Sequence, residues 1–179
     1  LERLTGPVEV ILFILAAVLG AYTGFLLSAL ISYPMLNNPV LPALFLASGT
    51  SSGIAATFLF ILIAGKLKGD SHESHFIHKF EVPIMVTELG LLVCFFVGLY
   101  FGGGQKVVAL QNALSGFWGA VFWIGVFLIG ILIPLLANLA VKDNLKYNKN
   151  FIILVSIFDL IGVLCLRYFI LYAGQLTVA

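Results

Sequence analysis

The chain has 179 residues, of which 61% are hydrophobic and only 9% are charged, and its mean hydropathy is +1.14. This composition excludes a water-soluble domain and indicates a membrane protein. The formal net charge of +1, with no basic run interleaved with aromatic residues, gives no reason to expect a nucleic-acid partner. Cys94 and Cys165 both lie inside apolar runs, where a buried thiol behaves as a small hydrophobe, so the sequence offers no cysteine cluster for an iron–sulfur centre.

Five apolar runs are long enough to cross a bilayer, which takes about 20 residues of helix. The connections between them are too short to form domains. The sequence therefore predicts an all-α fold, a single integral membrane helical bundle over residues 1–179. Pro134, inside the fourth run, is expected to kink the helix or loosen a turn. The predicted spans run from Pro7 to Ile31, Pro42 to Ala64, Phe80 to Phe101, Phe117 to Val141 and Phe151 to Ala173.

The basic residues of the connections are distributed unevenly between the two sides of the bundle. One side carries only Lys106, whereas the other carries Arg3, Lys66, Lys68, Lys79, Lys142, Lys146 and Lys149. The positive-inside rule places the basic side in the cytoplasm, so the turn of residues 33–39 and the loop of residues 102–112 are expected to face outward. That turn is almost uncharged, which fits either a position under a partner protein or a turn lying at the lipid headgroups.

Glycines recur on either side of the 33–39 turn. If the polypeptide folds back between residues 36 and 37, Gly24 lies level with Gly49 and Gly20 with Gly53. Glycines four residues apart let two helices approach closely in lipid, so the first two spans are expected to pair through these positions. The pairing predicts a hydroxyl-lined pocket at membrane depth, although these hydroxyls can also bond to their own helix. The candidate residues of the pocket are Tyr22, Thr23, Thr50, Ser51 and Ser52.

Two acidic residues lie deep inside the predicted spans. Glu88 and Asp159 are each about eight residues from the basic end of their span, which corresponds to about 12 Å of helix. Glu81 precedes Glu88 by nearly two turns and shares its face at the inner interface. An ionised side chain at such depth costs at least about 2.5 kcal/mol, so it is rare without a partner or a function. The functional hypothesis is a proton path from the cytoplasm, and the alternative is that each acid is a hydrogen-bonded packing residue.

Arg167 and Tyr22 lie at a similar depth, nearer the outer side of the bundle. The polar residues thus form two tiers, with the acids on the inner side and the tyrosine and arginine on the outer side. Arg167 cannot lose its charge, so it must pair with a carboxylate, a carbonyl or a ligand oxygen, or extend to the outer headgroups. Tyr22 can donate its phenol proton to a ligand carbonyl or to a neighbouring backbone carbonyl.

The remaining motifs give weaker evidence for a binding site or an active site. His72, His75 and His78 recur at three-residue steps, but no Cys or Asp/Glu framework completes a metal site, and a solvated juxtamembrane loop is the expected structure. None of the spans contains a histidine that could hold a haem. The run from Gly102 to Gly104 is expected to form a flexible turn rather than a phosphate-binding loop, and no Ser/His/Asp constellation is present.

Two parts of the sequence resemble a known family. The first comprises Gly20-Ala-Tyr-Thr-Gly-Phe-Leu-Leu-Ser28, Tyr33-Pro-Met-Leu-Asn-Asn-Pro-Val-Leu-Pro42 and Leu44-Phe-Leu-Ala-Ser-Gly-Thr-Ser-Ser-Gly53. The second is the last span, Ile161-Gly-Val-Leu-Cys-Leu-Arg-Tyr-Phe-Ile-Leu-Tyr-Ala-Gly-Gln175. Both are similar to the NrfD-like family, the membrane subunits of polysulfide reductases, which also carry a glutamate inside a span at the position of Glu88.

The resemblance implies an all-helical subunit that binds a quinone such as menaquinone and holds no haem or metal. It implies a location in the cytoplasmic (inner) membrane of a bacterium or archaeon. The implied partner is a ferredoxin-like iron–sulfur subunit, itself attached to a molybdopterin catalytic subunit or a multihaem cytochrome. Electrons are then expected to pass between quinol in the membrane subunit and the docked clusters.

The resemblance also suggests roles for individual residues. The quinone head group is expected near Tyr22, and docking of the iron–sulfur partner near Tyr33, Asn37 and Asn38. The pattern of polar residues adds Thr23, Ser51 and Arg167 as candidates for binding the head group. Proton exchange with the cytoplasm is expected through Glu81, Glu88 and Asp159. Family members commonly have eight or more spans, whereas this chain has five and begins at Leu1 rather than Met. We therefore expect it to be the later part of a longer subunit, with any quinone ligands of the earlier spans outside it.

Two other function classes remain open at this point. In a proton- or cation-coupled transporter component, Glu88 and Asp159 bind the coupling ion. Transporters often show inverted repeats and broken helices, and the sequence has neither beyond the kink expected at Pro134. The third class is a structural scaffold of a larger assembly. Co-purification of an iron–sulfur protein and a quinone favours the quinone-linked subunit, and purification without partners favours the transporter.

Overall fold

The fold is all α-helical, as the composition predicts. The computed structural model describes residues 2–63, 72–140 and 149–178, with the side chains of residues 6–63, 82–139 and 150–178, and no strand occurs in these ranges. The helices are α1 (Glu2–Ser28), α2 (Leu41–Ile63), α3 (His72–Phe101), α4 (Gln105–Leu114), α5 (Gly116–Ala120), a π-helical segment (Val121–Leu132), α6 (Ile133–Ala140) and α7 (Lys149–Ala173). Because α5, the π-helical segment and α6 follow one another without a break, they form one long helix.

Within the described ranges, five helical stretches are long and apolar enough to cross a membrane, which confirms the predicted number of spans. Their ends differ from the predicted ends by at most three residues. The spans are Gly6–Ser28, Leu41–Ile63, Val82–Phe101, Gly116–Leu139 and Asn150–Ala173. Runs of apolar residues therefore suffice to locate every membrane helix of the described ranges.

Two segments predicted as loops are helical instead. α3 begins at His72, so the three histidines lie in its first turns rather than in a juxtamembrane loop, and their side chains lie outside the described part. The segment of residues 102–112 is a short turn, with Gly103 and Gly104 at positive φ, followed by α4. Ala109 and Ala113, four residues apart on α4, are buried in the main hydrophobic core. Burial of this one face favours a helix lying on the bundle over an extended loop in solvent.

The connection between α1 and α2 folds into the bundle. Met35 and Leu36 are 0% and 1% exposed, and the Leu36 side chain lies beside Gly174 at the end of α7. Nearby, the Asn112 amide of α4 donates a hydrogen bond of 3.0 Å to the Thr177 hydroxyl. These segments gather at one end of the bundle, which we call the turn end. The opposite end, where α3 and α7 begin, is called the far end.

The first two spans pair in a register different from the predicted one. A side chain at Gly24 would lie 2.5 Å from the Cα of Pro42, and one at Gly20 would lie 3.2 Å from the Leu46 side chain. In both pairs the two residues are equally far from Tyr33 along the sequence. The first two spans are therefore paired about Tyr33, several residues before the expected fold-back point. The predicted pairing of glycine with glycine across the two spans is therefore wrong.

The buried turn explains the shift in register. Because Met35 and Leu36 are used to fill the core, the backbone reverses direction before them, and α2 is displaced along α1. The glycines of α2 consequently do not face the glycines of α1. A side chain at Gly49 would meet the Arg167 guanidinium at 3.7 Å, and one at Gly53 would meet nothing within 4 Å.

Among the described glycines, the closest approach between two helices joins the fourth and fifth spans. A side chain at Gly130, in the π-helical segment, would lie 2.5 Å from the Cα of Gly162 in α7, and a side chain at Gly162 would overlap the Gly130 backbone. Toward the turn end, a side chain at Gly125 would lie 2.9 Å from the Cys165 sulfur. Close approach of backbones through glycine, expected for the first two spans, thus also organises the last two.

The loosening expected at Pro134 is confirmed, and it takes the form of a π-helix. The π-helical segment ends two residues before Pro134, where the Ile133 N–H bonds to the Leu128 carbonyl five residues earlier. Proline has no N–H, and its ring pushes against the preceding turn, so the regular α-helical pairing is lost there.

Candidate functional site

A buried group of polar side chains joins α2, α3 and α7. The Ser51 hydroxyl lies 2.9 and 3.0 Å from the two carboxylate oxygens of Asp159 and donates its hydrogen bond to them. Glu88 lies within electrostatic reach of Asp159 and of Arg167. Ser51, Glu88 and Asp159 are each at most 5% exposed. We call these three residues the acidic cluster; they lie inside the bundle, where carboxyl groups are rare without a function.

Charged residues lie on both sides of the acidic cluster along the bundle axis. Glu81, the third predicted member of a proton path, precedes Glu88 by seven residues on α3 and thus lies toward the far end, with its side chain outside the described part. Arg167 follows Asp159 by eight residues on α7, about 12 Å toward the turn end. The two-tier arrangement of acids and arginine is therefore present along α7.

A cavity of about 180 Å³ lies on the turn-end side of the acidic cluster. Thr23 of α1 and Arg167 of α7 provide its polar groups, and the guanidinium carbon of Arg167 lies 4.9 Å from the centroid of the Phe45 ring. This cation–π contact directs the arginine into the bundle rather than toward the lipid headgroups. We call the cavity the arginine cavity; it is lined by Thr23, Leu26, Leu27, Phe45, Arg167 and Leu171.

Tyr22 does not line the arginine cavity. It is 56% exposed on the surface of α1, although Thr23, the next residue, is part of the wall. Of the four predicted head-group residues, Thr23 and Arg167 are thus brought together, whereas Tyr22 lies outside and Ser51 belongs to the acidic cluster.

The sequence matches the family model described as "Polysulphide reductase, NrfD" over residues 1–179. The protein belongs to this family. The resemblance drawn from the motifs of the first two spans and the last span is therefore confirmed.

Three relatives show the same relationship. The sequence is 89% identical to Protein NrfD homolog of Haemophilus influenzae over 178 residues, which are 99% of the chain and 56% of that protein. It is 49% identical to Protein NrfD of Escherichia coli and 42% identical to the C subunit of the polysulfide reductase of Wolinella succinogenes, with matches that span 96% and 94% of its own length and 54% of each relative. The chain thus spans about half the length of these relatives. No solved structure gives a significant match.

The hydroxyl groups predicted to line one pocket in this NrfD-family protein form hydrogen bonds in different directions. Thr50 donates to the Ala47 carbonyl (2.7 Å), and Ser52 donates to the Gly49 carbonyl (3.0 Å), both within α2. Ser51 is the exception, because its side chain leaves its own helix and bonds to α7. The alternative of bonding to the own helix therefore holds for two of the three hydroxyls.

Phe45 is a site residue that no sequence motif singled out. It supports the Arg167 guanidinium and is itself 2% exposed. A signal for it does exist, because the buried residues of α2 recur at intervals of three or four positions and define one face. They are Leu41, Pro42, Leu44, Phe45, Ser48, Ser51, Ala55 and Phe58.

The three predicted docking residues differ in their surroundings. Asn38 is 3% exposed, and its amide donates to the Phe95 carbonyl (3.2 Å) and accepts from the Val40 N–H (3.0 Å). Its side chain is thus committed to the protein's own backbone and fixes the turn on α3. Tyr33 and Asn37 are half-buried at the turn end, where their docking role stays a prediction.

Proposed function

We propose that the protein is the quinone-interacting part of a membrane subunit in a respiratory oxidoreductase complex. The observation that supports this most is the arginine cavity, which combines one cation and one hydroxyl with apolar walls at membrane depth. A quinone requires this combination, because its carbonyl oxygens accept hydrogen bonds while its ring and isoprenoid tail are apolar. The relatives named Protein NrfD and the polysulfide reductase C subunit support assignment to such a complex.

The proposed reaction is an exchange of electrons and protons at the quinol. Oxidation of one quinol, preferably menaquinol, releases two electrons and two protons. The electrons pass to a docked ferredoxin-like iron–sulfur subunit, and from there to a molybdopterin subunit or a multihaem cytochrome. Arg167 and Thr23 donate hydrogen bonds to the head-group oxygens, and the protein itself forms no covalent bond with the quinone.

The acidic cluster is the proposed route for protons. Glu88 and Asp159 lie between the arginine cavity and the far end, and Glu81 lies on α3 seven residues closer to the far end than Glu88. The basic connections favour a cytoplasmic far end, so the route joins the quinone to the cytoplasm in a bacterial inner membrane. The turn end then faces outward and receives the iron–sulfur partner near Tyr33 and Asn37.

Arg167→Leu tests the proposed head-group site. Removing a charged hydrogen-bond donor from the cavity is expected to lower the rate of quinol oxidation about tenfold or more. The measurement is quinol oxidation by membranes that contain the assembled complex. Lys106→Leu, which removes a cation from α4 outside the cavity, is the matched control. An assembled Arg167→Leu complex that oxidises quinol at the wild-type rate would refute the site.

Tyr22→Phe tests whether the head group extends past the rim of the cavity. Because Tyr22 adjoins Thr23, its phenol is expected to reach such a head group, and its loss should lower quinol turnover while leaving assembly intact. Tyr100→Phe is the control, since Tyr100 is exposed to a similar extent, 61% against 56%. Equal turnover in the two variants removes Tyr22 from the site.

A further inference from the structure

Asn138 is a buried amide that finds no hydrogen-bond partner among the residues that the structure describes. It lies in α6, is 4% exposed, and neither its nitrogen nor its oxygen forms a hydrogen bond with any residue that the structure describes. Burying an amide without hydrogen bonds is costly, and native proteins usually satisfy such groups with protein atoms or ordered water. Inside a membrane span the usual choice for a packing position is an apolar side chain. The unpaired amide therefore points to a bound polar molecule.

The helix crossing places Asn138 relative to the acidic cluster. Gly130 and Gly162 are in contact, so they mark one level in the fourth and fifth spans. Asn138 lies eight residues from Gly130 toward the far end, about 12 Å, and Asp159 lies three residues from Gly162 in the same direction, about 4.5 Å. The two residues are thus about 7.5 Å apart along the bundle axis. One or two water molecules bridge such a gap, since hydrogen-bonded oxygens are about 2.8 Å apart.

Another polar group, Ser156, lies in the same interval. α6 packs against both α7 and α3, the helices that carry Asp159 and Glu88. Ser156, one turn before Asp159, is 2% exposed. The interval between Asn138 and the acidic cluster therefore offers the Ser156 hydroxyl, beside the Asn138 amide and the two carboxyl groups, as a partner for water.

We propose that Asn138 binds water in a buried hydration site that connects the acidic cluster with the far end of the bundle. This inference rests on the proposed function, because it supplies the missing step between the carboxyl groups and the aqueous phase. A neutral amide suits water, since it donates and accepts hydrogen bonds without imposing a charge. Water held there passes protons onward to Glu88 and Asp159.

The two methionines of the sequence provide internal probes of hydration. Met85 lies one turn from Glu88 on α3, toward the far end, and is 2% exposed; Met35 lies in the turn between α1 and α2 and is 0% exposed. X-ray radiolysis generates hydroxyl radicals from bound water, and these oxidise methionine next to it. We expect Met85 to be oxidised in the assembled complex in lipid nanodiscs, although it is buried, and Met35 to be protected. Equal protection of the two residues overturns the proposal.

Variants of Asn138 connect the water to this side chain. Asn138→Leu fills the position with apolar atoms, and the excess oxidation of Met85 over Met35 is expected to be lost. Asn138→Ser keeps a small polar group and is expected to retain it. Unchanged Met85 oxidation in Asn138→Leu overturns the assignment of the ligand. If Asn138→Leu does not assemble, the wild-type comparison of the two methionines still decides whether the site is hydrated.

Proton uptake then shows whether the hydrated site serves the reaction. In vesicles with the complex, Asn138→Leu is expected to slow quinol-coupled proton exchange while the quinol concentration at half-maximal rate stays unchanged. An unaltered exchange rate overturns the connection to the acidic cluster. Footprinting requires no quinone, so failure of the hydration site is distinguishable from failure of the quinone site, which the Arg167→Leu measurement reports.

Discussion

Gly162→Leu is expected to abolish assembly of the bundle. A side chain at this position overlaps the backbone of Gly130 in the neighbouring span, and no rotation of a side chain can relieve an overlap with backbone. The fourth and fifth spans must then separate, and α7 is the helix that carries Asp159 and Arg167. In lipid, where apolar surfaces gain little by associating, loss of this close packing removes the main attraction between the two helices.

The yield of folded subunit in detergent extracts measures this effect. Gly90→Leu is the matched control, because Gly90 also lies inside a span and a side chain there would meet nothing within 4 Å. The control adds the same hydrophobic group without an overlap, so it is expected to assemble like the wild type. Similar yields of the two variants would show that the fourth and fifth spans do not cross at these glycines.

Glu88→Gln is expected to slow quinol-coupled proton exchange about 100-fold, the scale on which a positioned acid or base contributes to proton transfer. Glutamine fills the same volume and keeps hydrogen-bonding atoms, but it cannot take up and release a proton. Asp159→Asn is expected to act in the same direction, because Asp159 shares the buried site and is bonded to Ser51.

Reconstituted vesicles that report proton uptake during quinol turnover provide the measurement. Glu9→Gln is the control, since Glu9 lies on the exposed surface of α1 and does not belong to the acidic cluster. An exchange rate in Glu88→Gln equal to that of Glu9→Gln would exclude Glu88 from the path and leave it a packing residue.

The membrane helices could be located from the sequence, whereas their contacts could not. Span positions depend on runs of apolar residues, a local property that the sequence displays directly. The register of α1 on α2 depends on Met35 and Leu36 entering the core, which is a tertiary effect. Gly24 and Gly20 do lie at the interface as expected, but they face Pro42 and Leu46 rather than other glycines.

The candidate site could be predicted where its residues are charged, because charged side chains are rare in a membrane span. Glu88, Asp159 and Arg167 stand out because charged groups seldom occur there, and the structure places Glu88 within electrostatic reach of the other two. Phe45 and Asn138 did not stand out, since their significance depends on what surrounds them. Tyr22 was singled out by the family motif, and it lies on an exposed face of α1.

A density map of the complete complex with a bound quinone analogue tests the central claim most directly. We predict that the head group lies in the arginine cavity between α1, α2 and α7, with an oxygen in hydrogen-bonding distance of Arg167. We also predict that an iron–sulfur cluster of the partner lies close to this cavity at the turn end. A head group bound elsewhere, with protein side chains filling the arginine cavity, would contradict the account.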